Sequence, residues 1–240
     1  MPGVGHDRIV LILGHRGASV AQLENTPAAF ATADAMGADG VELDVRRVGD
    51  GRLLVAHDPL PESMAEIDAL GCASFDEVLD SCGERMLVNV EIKNWRADRG
   101  YDPTMAMVGP VIDALRRRGA GSLDRWLISS FSWETLAACR AFDPAVATAF
   151  LTFGEVDESL IARVAAAGHV ALHPSHDTVD AALIERCHGA GLAVNAWTCN
   201  DPTRLAELAA LGLDGVCTDV PDVALAALGR SGPTLHPSWR

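Results

Sequence analysis

The sequence predicts an α/β protein folded as one (β/α)8 barrel, and three observations carry that expectation. Eight short apolar or β-branched runs recur along the chain, each followed by a helical pattern. In the second half the starts of these runs fall 21, 22, 24 and 22 residues apart, a compact repeat of strand and helix. No Gly-x-Gly-x-x-Gly follows the first run, which removes the usual reason to prefer a doubly wound sheet, the alternative with the same alternation.

Taken in order, the first strand is placed near Ile9–Leu13 and ends in Gly14-His15-Arg16-Gly17-Ala18, where the glycines would let the backbone approach a ligand. Thr26-Pro27 reads as an N-cap with proline in the first turn, opening an alanine-rich helix through Met36. The second strand is Gly40–Val45. After it, Val48-Gly49-Asp50-Gly51-Arg52 reads as a hairpin turn that folds the chain back toward His57. The remaining strands are Leu87–Ile92, Trp126–Ser130, Ala147–Leu151, His169–His173, Ala193–Thr198 and Gly215–Thr218. Helices over Thr178–Ala190 and Asp201–Leu211 stop at Gly191 and Gly212. Arg116-Arg117-Arg118, at another helix end, is expected to complement the helix dipole from solvent. Strand starts in the first half are 31, 47 and 39 residues apart, and extra length in βα loops is where barrels keep their chemistry. Nothing resembles a linker, so residues 1–240 are expected to form one domain, with a core over about 9–224 and a tail over 225–240.

Composition excludes several classes. Apolar residues make up 49% of the chain, which rules out disorder. A net charge of −14 argues against nucleic acid or an anionic membrane surface as partner. The six cysteines show neither CxxC nor zinc-ligand spacing and read as buried thiols, which suits a reducing cytoplasm. There is no signal-peptide pattern and no stretch long enough to insert stably in a membrane. The oligomeric state is not legible.

Side chains two apart in a strand share a face. That puts Glu42 with Asp44 in VELDV, and Asn89, Glu91 and Lys93 together in VNVEIKN. Three carboxylates converging at a barrel mouth would repel one another, and a hard divalent cation, Mg2+ or Ca2+, is the natural compensator. Ion pairing with Arg46 or Lys93 is the structural alternative. His15 and His57 beside such a metal form a pair suited to phosphodiester cleavage, one imidazole taking a proton and the other giving one. His173-Pro174-Ser175-His176 is HxxH, but Pro174 breaks the helix a metal pair would use, so His173 is expected to line the mouth. Phe131 is expected to line the pocket with Ser129 and Ser130, and no GxSxG supports a serine nucleophile. Thr218 and Asp219 are expected to cap a turn, and the tail from Ser231 shows no pattern.

The segments GHRGAS, LENTPAAF, GADGVELDV, VAHD, VEIK, AWTCN and GVCTDVPD, in that order, resemble the glycerophosphodiester phosphodiesterases, over roughly Ile9 to Ala224. The resemblance implies a TIM barrel and hydrolysis of glycerophosphodiesters to glycerol 3-phosphate and an alcohol. It implies Glu42, Asp44 and Glu91 as ligands of one divalent cation, His15 and His57 as the acid–base pair, and Arg16 and Lys93 as phosphate-binding groups. Glu24 and Asn25 match residues near the site, with Glu24 a further ligand or an orienter of ligands, and Trp197 matches an aromatic lining the pocket. Lys93 is the single lysine in the chain. Its charge, with that of Arg16, would bring the metal-loaded carboxylates and a phosphodiester anion to formal neutrality. His15 is assigned as base and His57 as acid. The text after the second histidine, HDPLPESMAEIDALG, departs from the family's HDxxLxRTT, and the insertion that follows is reduced to roughly Pro59–Ser74. Rival readings are a lysophospholipase D or sphingomyelinase D-like lipid phosphodiesterase, and a noncatalytic phosphate-binding barrel.

Overall fold

The computed structural model describes residues 9–119, 122–234 and 237–239. Residues 1–8 and 240, the ends of the expected domain, lie outside the described residues. Eight parallel strands close on themselves: β1 (Leu11–His15), β2 (Gly40–Arg47), β4 (Leu87–Ile92), β5 (Trp126–Ser130), β6 (Ala147–Thr152), β7 (Ala171–Pro174), β8 (Ala193–Ala196) and β9 (Gly215–Thr218). Closure is made by β1, which pairs with both β2 and β9. The short β3 (Leu53–Val55) is antiparallel to β2 and forms the expected hairpin.

Helices wrap the outside: α1 (Pro27–Met36), α2 (Met64–Leu70), α3 (Phe75–Ser81), α4 (Val108–Arg118), α5 (Trp133–Phe142), α6 (Glu158–Ala166), α7 (Ala181–Gly189), α8 (Pro202–Ala210) and α9 (Pro221–Ala227). The strands' outward apolar residues, such as Val41, Leu43 and Val45, pack beneath them in the large core. A second, smaller cluster fills the barrel interior with Leu13, Leu87, Leu127, Ala149, Ala171 and the tail residue Trp239. The reduced insertion is α2, whose Ile67 packs on Val48 and Leu54 of the hairpin. No described helix is long and apolar enough to cross a membrane.

Local chemistry sets the boundaries, and several expectations shift, β7 for example running over Ala171–Pro174 rather than His169–His173. β1 begins at Leu11, where its ladder with Gly215 starts, so His15 is the strand's last residue. β8 stops at Ala196, and Trp197 instead bridges Ser175. α7 starts after Asp180, whose carboxylate caps the Leu183 amide, while Thr178 closes a 3-10 turn. The arginines ending α4 are ion-paired: Arg118 reaches Asp76 and Asp80 at 2.7 Å, and Arg116 reaches the buried Asp143. Gly191 and Gly212 follow their helices with φ of +75° and +91°, as expected of helix stops.

Candidate active site

Register assembles the carboxylates. β2 and β4 are parallel neighbours with Asp44 opposite Glu91 and Glu42 opposite Asn89, and β1 sets His15 opposite Glu42. Ligand oxygens of Glu42, Asp44 and Glu91 lie within 4.8 Å of one another, and all three residues are buried. Burial and the Asp44 charge push the Glu42 carboxyl well above its ordinary value. Burial also raises Glu91, and its ion pair with Lys93 does not cancel that cost. Asp44 goes the other way: burial raises it, but the charges of Lys93 and Arg16 bring it down.

Lys93 answers to both sides of the triad, its Nζ lying 2.7 Å from Glu91 and 3.0 Å from Asp44. Arg16 occupies a left-handed conformation (φ 56°), which turns its amide N–H onto Glu42 Oε2 at 3.1 Å and its Nε toward Asp44 at 3.3 Å. Glu24 is half-exposed and outside the triad; both its oxygens accept from Arg16 Nη1, so it orients that guanidinium. Asn25 donates from Nδ2 to Asp44 Oδ2 at 2.9 Å and accepts from the Asp44 amide. The glycines beside His15 serve the fold: a Cβ on Gly17 would lie 2.6 Å from the Ala29 backbone. They let α1 close on the turn.

The two imidazoles are held differently. His15 Nδ1–H donates to Asp219 at 2.7 Å, and Asp219 also accepts from Ser19 and Asn200. Burial lowers the His15 pKa, but the Asp219 hydrogen bond and the Glu42 charge overcome it, so the net shift is upward. Burial raises Asp219, yet the His15 bond followed by that of Asn200 brings it down to about 2. His57 Nδ1 meets the exposed Asp58 at 3.0 Å, while burial and Lys93 lower its pKa. Both rings line the cavity, each with its Nδ1 engaged by an aspartate. Buried Arg46 fixes His57 through the backbone: Nε and Nη2 donate to the His57 carbonyl at 3.0 and 2.6 Å, and Nη1 pairs with Asp98.

One cavity is lined by His15, Arg16, Glu42, His57, Glu91 and Lys93, and by Phe131, Trp197 and His173. His173 Nε2 accepts from Asn195 Nδ2, and burial drops its pKa to about 3, so it is a neutral wall. His176 lies outside the cavity beside Asp177, which dissolves the HxxH pair. Phe153, which sequence reasoning missed, stacks on Phe131 with centroids 4.2 Å apart. Asp219 was assigned to a turn, and Arg46 only to ion pairing. A carboxylate ending the last strand, next to the first strand once the barrel closes, was the available signal for Asp219.

The donor set fits a hard divalent cation. Glu42 Oε1 is buried and has no hydrogen-bond partner among the described residues, and the triad's positive neighbours leave two of its carboxyls with raised pKa values.

Comparison with known proteins converges on one family. The family model described as the glycerophosphoryl diester phosphodiesterase family matches residues 15–70 and 59–223. A glycerophosphodiester phosphodiesterase of Caldanaerobacter subterraneus is 28% identical, over 92% of this chain and 99% of its own length. The crystal structure of a glycerophosphodiester phosphodiesterase from Thermotoga maritima superposes with a TM-score of 0.73 at 27% identity, covering 94% of this chain and all of that one. An Oleispira antarctica phosphodiesterase, solved with its product sn-glycerol-3-phosphate, shares the fold with a TM-score of 0.80 at 22% identity, over 91% of this chain and 96% of its own.

Proposed function

This chain belongs to the glycerophosphoryl diester phosphodiesterase family, and from that premise we propose that it hydrolyses glycerophosphodiesters to glycerol 3-phosphate and an alcohol. The observation that carries the reading is a cluster of three buried carboxylates, two of which, Glu42 and Glu91, line one cavity with His15 and His57.

Glu42, Asp44 and Glu91 would hold one divalent cation, Mg2+ or Ca2+. When bound, it supplies Lewis-acid polarisation of a nonbridging phosphate oxygen and offsets the carboxylate charge that keeps a proton on His15. Arg16 and Lys93, at the edge of the triad, hold the phosphate's negative charge. His15 Nε2 takes the proton of the attacking hydroxyl, and Asp219 stabilises the imidazolium that forms. The new P–O bond forms as the bond to the head-group oxygen breaks, and His57 Nε2 gives its proton to the departing alkoxide. When the attacking group is the glycerol 2-hydroxyl, the first product is a cyclic phosphate, which water opens with the two imidazoles in exchanged roles. Burial beside Lys93 makes His57 a ready donor, and a phosphodiester anion next to it favours the protonated ring before the step.

The test is release of glycerol 3-phosphate from a panel of glycerophosphodiesters. Expected are turnover, its loss in EDTA, and recovery with Mg2+ or Ca2+; no release from any diester under metal-replete conditions overturns the reading. In the same assay His57→Ala should lose far less rate on a p-nitrophenyl diester than on an alkyl diester. Equal losses would reject His57 as the acid.

A further inference from the structure

Two buried acceptor oxygens belong to residues that the barrel sets side by side. Glu42 Oε1 and Asn89 Oδ1 each lack a hydrogen-bond partner among the described residues, and the ladder of β2 with β4 pairs the two residues directly. Asn89 is 1% exposed and lines the same cavity as Glu42, Glu91, His15 and Lys93. It stands two residues before Glu91 on β4, so the two side chains share the inward face.

The surroundings explain why no protein group completes the Asn89 amide oxygen. Its register neighbour on β5 is Leu127, whose side chain carries no donor. Its neighbour on β2 is Glu42, whose free carboxylate oxygen is an acceptor in its turn. Donors elsewhere on the cavity wall are engaged: His15 Nδ1 with Asp219, Lys93 with Glu91 and Asp44, and Trp197 Nε1 with the His173 carbonyl. A buried acceptor without a donor is costly, and two of them on paired positions call for one electron-poor partner. A cation answers both, and an amide carbonyl is an oxygen that hard divalent ions take beside carboxylates.

Charge explains why an amide suits this position better than a fourth carboxylate. Three carboxylates with Arg16 and Lys93 bring the ion and a phosphodiester anion to formal neutrality. A neutral ligand strengthens the hold on the ion without disturbing that balance, whereas an aspartate would hold the ion and repel the substrate. We propose that Asn89 is a fourth protein ligand of the divalent ion, its Oδ1 bound directly to the cation held by Glu42, Asp44 and Glu91. The proposal deepens the phosphodiesterase reading and rests on it, because it requires the triad to be the ion's site.

The experiment titrates Ca2+ and Mg2+ calorimetrically into EDTA-stripped, exchanged protein, comparing the wild type with Asn89→Ala and the near-isosteric Asn89→Asp. A structure of the Ca2+-loaded wild type reads the contact itself. Expected are Asn89 Oδ1 at about 2.3–2.6 Å from Ca2+ and binding at least about 10-fold weaker in Asn89→Ala. Asn89→Asp should bind the ion at least as tightly as the wild type. It should nevertheless lose roughly 10-fold in kcat/KM on a glycerophosphodiester, mainly through KM, because its added charge meets the phosphate. A residue that only fills the barrel predicts no such opposition between ion affinity and turnover. Wild-type affinity in Asn89→Ala overturns the fourth ligand, and so does a Ca2+ ion on the triad with Asn89 Oδ1 beyond about 3 Å, behind a water. Either result leaves the triad and the phosphodiesterase reading intact. Should Asn89→Ala fail to fold, the wild-type structure decides by the same distances. No ion bound by the wild type overturns the metal site and this ligand together.

Discussion

Asp39 and Glu42 stand three residues apart at opposite ends of the same barrel, and both are buried. Asp39, just before β2, is fully answered: its oxygens accept from Arg230 Nη1 and Nη2 and from the Ile12 and Thr234 amides, at 2.6 to 2.9 Å. Burial raises its pKa, but the Arg230 bonds and the amides bring it down. Glu42, toward the mouth, keeps one oxygen without a donor and a raised pKa. The bottom of the barrel is closed by Leu13, Leu87, Leu127 and Trp239, whereas the mouth carries crowded charge. The difference between the two carboxylates teaches what each position is for: Asp39 is completed by the chain's own donors, and Glu42 leaves a place for a cation to complete it.

Substitutions can break or sharpen that contrast. Glu42→Gln should cost about 10³-fold in kcat/KM yet leave the Tm measured in EDTA unchanged or raised, because it relieves carboxylate repulsion. Asp39→Asn should do the reverse, lowering stability by about 3 kcal/mol, roughly 6–12 °C in Tm. A large Tm loss from Glu42→Gln in EDTA would erase the distinction. Next in size, Asp219→Asn should lower kcat/KM about 10²-fold. The carboxylate raises the His15 pKa, so its loss lowers that pKa, and the acid limb of the kcat/KM profile should move to lower pH. An unmoved limb would deny that His15 is the base.

Arg46→Gln should have a smaller effect, about 10-fold on kcat with alkyl diesters. It frees the His57 carbonyl, and the loss should shrink on a p-nitrophenyl diester that needs little acid assistance. Equal losses on both would make Arg46 a structural residue alone. Trp239→Ala, at the other end, should lower Tm by roughly 6–12 °C while kcat/KM stays within about twofold at a temperature where the variant is folded.

Much of this was legible because period and register are local. Alternation in VELDV and VNVEIKN placed Glu42, Asp44, Glu91 and Lys93 on inward faces, and the Gly-Asp-Gly turn returned His57 to the mouth. What escaped depends on closure. Asp219 meets His15 across 204 residues, only because β9 pairs with β1. Arg46 lies on the inward face with Glu42 and Asp44, yet alternation could not say that its guanidinium would seek a backbone carbonyl. Phe153 and Trp95 sit on loops without periodicity. Trp239 follows a segment with no pattern, and its place beneath the barrel is set by the volume it fills.

The claim on which the site depends is that Glu42, Asp44 and Glu91 share one divalent cation. Isothermal titration of Mg2+ or Ca2+ into EDTA-stripped, exchanged protein tests it directly, without reference to turnover. One saturable ion per chain in the wild type, lost in Glu42→Gln and in Glu91→Gln but kept in His57→Ala, is the predicted result. No saturable binding of either ion, or binding that survives both carboxylate substitutions, would contradict it.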